Sequence, residues 1–249
     1  MSTIKDLREK LQSEKFPLRN HYWGYNWLYR KPSIYITYAL SKTAVSANIV
    51  SMWVIIAGII ASVLASLGHI YLAILFAYLN LLLDGVDGEI ARLRNIFSLR
   101  GVYLDAINHM IVPGLFLIGL SVYLNYPVVA LAALFWSAIK IIGKIENKIY
   151  FGAYLDNEAK YNLPQNTSEL SIKENTHSPS MARRLIGLRY QFREFLIFLV
   201  TILLSQLLNI LPETVLIYSI FLILQFIEEA YRGYFSIESR VTSLSSRRR

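Results

Sequence analysis

The chain contains no cysteine, so neither disulfides nor thiolate metal sites are available to it. It is also short of charge: Asp, Glu, Lys and Arg make up 17% of its residues, against 55% hydrophobic ones. Several apolar runs are long enough to cross a bilayer with few charges in them, which makes lipid the natural solvent. The first forty residues lack the apolar core of a cleavable signal peptide and are polar and aromatic instead. No internal repeat or low-complexity tract is evident. The turns near His69, Asn125 and Pro212 hold no Lys or Arg at all.

What charge there is has a pattern. The 25 basic residues outnumber the 17 acidic ones, for a net charge of +8. Because they border apolar runs, the expected partner is anionic lipid and not nucleic acid. The basic residues gather in the N-terminal segment, the Arg92–Arg100 linker, the polar stretch before residue 195 and the C-terminal tail. The positive-inside bias therefore predicts that both termini lie on the cytoplasmic side.

The pattern predicts an all-α membrane protein with six spans, at about 47–67, 69–93, 101–124, 128–150, 195–211 and 213–235. Ahead of them, residues 1–20 read as a surface-lying segment. Residues 21–40 mix Tyr22, Trp23, Tyr25, Trp27 and Tyr29 with Arg30 and Lys31, a composition that suits headgroup level, and predict an amphipathic interfacial helix after Pro32. A polar loop is expected at 156–181. The divisions are an N-terminal segment (1–42), a membrane domain (43–238) and a basic tail (239–249).

Between the second and third apolar runs lies DGVDGEIARLRNIFSLRGVYLDAINH, from Asp84 to His109. Asp84 and Asp87 are three apart and Asp105 and His109 four apart, so each pair shares a helix face. An Asp in the middle of a membrane helix costs about 2.5–3.5 kcal/mol, and such residues default to function. Three carboxylates at two helix ends make the oxygen-rich cluster that holds hard cations such as Mg²⁺. The structural alternative is a salt-bridge knot of Asp84 or Asp87 with Arg92 or Arg94.

The spacing resembles that of the CDP-alcohol phosphotransferases, D-x2-D-G-x2-A-R-x8-G-x3-D-x3-D. Asp84, Asp87, Gly88, Ala91, Arg92, Gly101 and Asp105 match at every offset, and His109 stands where the family has its last Asp. The resemblance implies transfer of a substituted phosphate from a CDP-alcohol to the hydroxyl of a second alcohol, with release of CMP, in phospholipid or phosphodiester-lipid synthesis. It further implies two ions of Mg²⁺ or Mn²⁺ on Asp84, Asp87 and Asp105, and a homodimer. With the cluster on the cytoplasmic side, the nucleotide-activated substrate would be at hand.

Gly85 and Gly88 would let the nucleotide approach the helix backbone, Arg92 would hold a phosphate, and Gly101 would allow a tight start to the third span. Asn48, with Ser51, resembles the family's Pro-Asn-x-x-Thr start of the first span, Ala47 replacing Pro. Asn48 is then a nucleotide contact or simply a helix N-cap. Asp105 and His109 are the catalytic residues, His109 taking the place of the family's general base. Besides a His base, an altered metal count or a degenerate member fits the replacement. Asn108 cannot substitute, since a carboxamide is no useful base and points elsewhere on the helix. Lys140, Lys144 and Lys148 recur at helical spacing, as a phosphate-binding stripe or as snorkelling residues. The competing readings are a membrane transporter using the Asp cluster and a non-catalytic or altered-reaction member of the family that binds CDP-alcohol.

Overall fold

A computed structural model describes residues 4–12, 26–96, 98–139, 141 and 195–246, with no strand among them. The helices are α1 (Ile4–Gln12), α2 (Lys31–Ser41), α3 (Ala47–Ser66), α4 (Ile70–Arg94), α5 (Leu99–Leu124), α6 (Pro127–Ile139), α7 (Phe195–Leu207) and α8 (Leu211–Ser246), with a π-helical turn, Asn26–Arg30, leading into α2. Four are long and apolar enough to cross a membrane: α3, α4, α5 and the Leu211–Tyr231 part of α8. The chain is therefore an integral membrane protein.

The sequence predicts six spans; in the regions of the fourth and fifth the described residues hold the shorter apolar helices α6 and α7. Most of the fourth span beyond Ile139 lies outside the described residues, as do Lys140, Lys144, Lys148, the 156–181 loop and the aromatic positions 22–25. Helix α8 runs on to Ser246, across position 238 where the sequence division ends the membrane domain.

Helix ends follow local chemistry. Ser46 and Ser98 cap α3 and α5, each hydroxyl accepting a backbone N–H of the first turn, from Ile49 and Gly101. Asn95 and Asn125 close α4 and α5 in the left-handed conformation, φ 52° and 56°, which Asn tolerates better than any residue with a bulkier side chain. Helices α4 and α5 both pack on α3, which brings some of their side chains together.

Small residues bring the helices close. Ala57, Gly58, Ala61, Ser62 and Ala65 form one buried face of α3, which packs along both α4 and α5. A Cβ on Gly119 of α5 would run into the Ser62 carbonyl. In lipid, where apolar burial gives little drive for association, such close backbone approach supplies the packing. Phe116, Leu117 and Leu120 of α5 fill the space toward Phe198, Leu199 and Ile202 of α7.

The N-terminal region departs from its sequence reading. Residues 4–12 are a helix whose Leu7 and Leu11 are buried against Ile34, not a merely surface-lying segment. Helix α2 begins with Pro32 in its first turn, as expected, but buries Ser33, Ile34 and Thr37. That face is largely polar because of what it meets: the carboxylate of Glu89 on α4, only 3% exposed, accepts from Ser33 Oγ (3.0 Å), Thr37 Oγ1 (2.6 Å) and Gln12 Nε2 (2.8 Å).

Candidate active site

Helix α4 carries Asp84 and Asp87 into the space between α3 and α5. Helix α5 answers with Asp105 and His109, one turn apart. His109 Nε2 lies 3.3 Å from Asp105 Oδ1 and 3.6 Å from Asp84 Oδ2. One ligand atom from each of the three lies within 4.8 Å of the others. Asp84 is largely enclosed, its side chain 11% exposed, whereas those of Asp105 and His109 are about half exposed at 52% and 51%. Two carboxylate oxygens converging from two helices fit a hard divalent cation, with one imidazole nitrogen beside them.

Beside this cluster is a cavity of ≈ 210 Å³, lined among others by Asn48, Ser51, Asp87, Gly88, Arg92, Gly101 and Asp105. Asp105 belongs to both the cluster and the cavity wall, so the two are continuous. Asp87 faces the cavity and is fixed by Ser51 Oγ, which donates to its Oδ2 at 2.6 Å. Asn48 Oδ1 accepts from Ser98 Oγ at 2.7 Å. Asn48 is therefore not the N-cap of α3; Ser46 is, and Asn48 instead ties the start of α3 to the start of α5. A Cβ on Gly101 would stand 3.1 Å from Asn48 Oδ1, so the glycine keeps that junction tight.

The arginines divide. Arg94 donates to the carbonyls of Val45 (2.7 Å), Thr43 (2.8 Å) and Leu40 (3.4 Å), anchoring the connection between α2 and α3. Arg92 bends over Gly88, where a Cβ would come within 3.2 Å of its Nη1. Its Nε is buried with no hydrogen-bond partner among the described residues. The salt-bridge knot is thus not how these arginines are engaged, and Gly88 makes room for the Arg92 guanidinium at the cavity wall.

Gly85 is not brought to the cavity. A Cβ there would meet Tyr29 Oη at 3.0 Å and Ser33 Cβ at 3.5 Å, so its bareness serves the seating of the N-terminal segment. Sequence reasoning missed Asn80 and gave Asn108 and Glu89 no place in the site; all three are buried and polar. The available signal was composition: polar side chains inside runs otherwise apolar enough to span a bilayer.

The model of the CDP-alcohol phosphatidyltransferase family matches residues 44–227, from the α2–α3 connection into α8. The chain belongs to that family. No curated protein gives a significant match. The CDP-alcohol phosphatidyltransferases carry out phosphatidyl transfer from a CDP-alcohol in lipid synthesis and are typically divalent-metal dependent. Membership supports a transferase over an ion-transport role for the cluster.

Proposed function

We propose that this CDP-alcohol phosphatidyltransferase transfers a substituted phosphate from a CDP-alcohol to the hydroxyl of a second alcohol, releasing CMP, in a divalent-metal-dependent reaction. The observation that carries this reading is the continuity of the Asp84–Asp105–His109 cluster with the cavity that holds Asp87 and Arg92. Asp84, Asp87 and Asp105 would hold Mg²⁺ or Mn²⁺, two ions in the full site. When bound, the ions neutralise charge on the diphosphate and stabilise the charge that develops in phosphoryl transfer.

The residues of the chain divide the remaining work. Arg92 presents a guanidinium to a phosphate oxygen, the partner its buried Nε lacks among the described residues. Asn48, at the cavity wall, contacts the cytidine end of the donor. His109 takes the proton from the acceptor hydroxyl. The hydroxyl oxygen forms its bond to the phosphorus that carries the donor alcohol, and the bond from that phosphorus to the CMP oxygen breaks. The half exposure of His109 gives an acceptor access to the base. The positive-inside bias puts the site and both termini at the cytoplasmic face. The α2 helix then sits at the interface, six apolar helices form the domain, and two copies pair as a dimer.

The test is CMP release by the purified protein with a panel of CDP-alcohols and acceptors, with and without chelator. Metal-dependent CMP release lost in Asp105→Ala supports the proposal. Metal-dependent binding of CDP-alcohol without turnover by any pair would favour a non-catalytic member.

A further inference from the structure

Asp84 is held from behind by two buried amides. Asn108 Nδ2 donates to Asp84 Oδ1 at 3.0 Å. Asn80 Nδ2 donates to Asn108 Oδ1 and to the Val54 carbonyl, each at 2.8 Å. Asn80 and Asn108 are only 2% and 4% exposed. The sense of this chain is forced: an ionised carboxylate only accepts, so Asn108 turns its NH₂ to Asp84, which leaves its carbonyl oxygen to Asn80. Asn80 has two N–H groups and uses one on Asn108 and the other on α3. Gly58 makes the room, since a Cβ there would stand 3.0 Å from Asn80 Nδ2.

The two oxygens of Asp84 therefore have different surroundings. Oδ1 is bound to the fold, while Oδ2 faces His109 Nε2 at 3.6 Å. We infer that Asn108 and Asn80 are positioning residues, which fix the Asp84 carboxylate so that Oδ2 is the oxygen offered to the cation. The inference rests on the proposed role of Asp84 as a ligand. Two buried amides among apolar helices are costly unless paired, and here their pairing ends on the cluster. Groups that orient a metal ligand in this way typically contribute about 10–100-fold to metal affinity.

Mn²⁺ binding to the full chain in detergent, read from the free-ion electron paramagnetic resonance signal, separates the possibilities. Wild type, Asp84→Ala, Asn108→Ala and Asn80→Ala are compared, with melting temperatures taken without metal. The expected result is a loss of affinity of about 10–100-fold in Asn108→Ala, a similar or smaller loss in Asn80→Ala, and recovery of CMP release at saturating Mn²⁺. A purely structural role would lower the metal-free melting temperature and leave the affinity alone, which overturns the inference. So does failure of both asparagine variants to fold. Wild-type affinity in Asp84→Ala would instead remove Asp84 as a ligand and take the parent reading with it.

Discussion

Thr37 Oγ1 donates to Glu89 Oε2 at 2.6 Å, and through that bond the N-terminal region is fixed to the helix that carries Asp84 and Asp87. Glu89 lies two residues after Asp87, on the face of α4 turned toward α2. Its carboxylate accepts from Ser33, Thr37 and Gln12, so α1 and α2 both bear on α4. Replacing Thr37 by Val removes one donor to a buried carboxylate without changing the volume much. The expected loss is about 1.5–3 kcal/mol of stability, measured as a lower melting temperature in detergent. An unchanged melting temperature would show that α2 is not anchored through Glu89.

Close helix contact gives a second prediction. Gly119 faces the backbone of α3, where the Ser62 carbonyl cannot step aside, whereas Gly58 faces side chains, those of Val112 and Asn80. Both Gly119→Ala and Gly58→Ala overpack the interface, by about 1–3 kcal/mol. Gly119→Ala is expected to be the worse of the two in thermal denaturation. The reverse order would mean that α3 and α5 do not approach as described.

How far the sequence reached follows from the same contacts. The Asp84–His109 motif was legible because fixed offsets on a helix determine which residues share a face, and Asp84, Asp105 and His109 do meet. Asn108 was dismissed as pointing elsewhere on the helix. The structure instead turns its amide to Asp84 Oδ1, on the same carboxylate that His109 faces, a contact that only the packing of α4 and α5 on α3 creates. Glu89 and Gly85 face the N-terminal segment for a similar reason: the docking of α2 is a long-range event that periodicity does not encode. Leu7 and Leu11 sit in a charged stretch whose composition reads as solvated until Ile34 is placed beside them.

Arg92 supplies a third prediction. If its fork holds a donor phosphate, Arg92→Ala loses a charge-assisted bond worth about 1.5–3 kcal/mol, or roughly 10–150-fold in kcat/KM for the CDP-alcohol. Arg92→Lys keeps the charge but not the planar fork, and is expected to recover only part of that loss. Steady-state kinetics with varied donor, at saturating acceptor, reads both. Full recovery by Lys would reduce the role of Arg92 to a point charge.

Ser51 offers a fourth. Its hydroxyl holds Asp87 Oδ2 at the cavity wall, so Ser51→Ala frees that carboxylate to rotate. An increase in the Mg²⁺ or Mn²⁺ concentration needed for half-maximal CMP release is expected, about 10-fold or more, with the maximal rate less affected. Titration of each ion against initial rate checks it; an unchanged requirement would separate Asp87 from the cations.

His109 is proposed as the base beside a carboxylate-held metal site. CMP release by wild type, Asp105→Ala, His109→Ala and His109→Asp, each saturated with Mg²⁺ or Mn²⁺, tests it most directly. Loss of turnover by about 100-fold or more in His109→Ala, near-complete loss in Asp105→Ala and partial retention in His109→Asp are the predicted results. Wild-type turnover in His109→Ala would contradict the account.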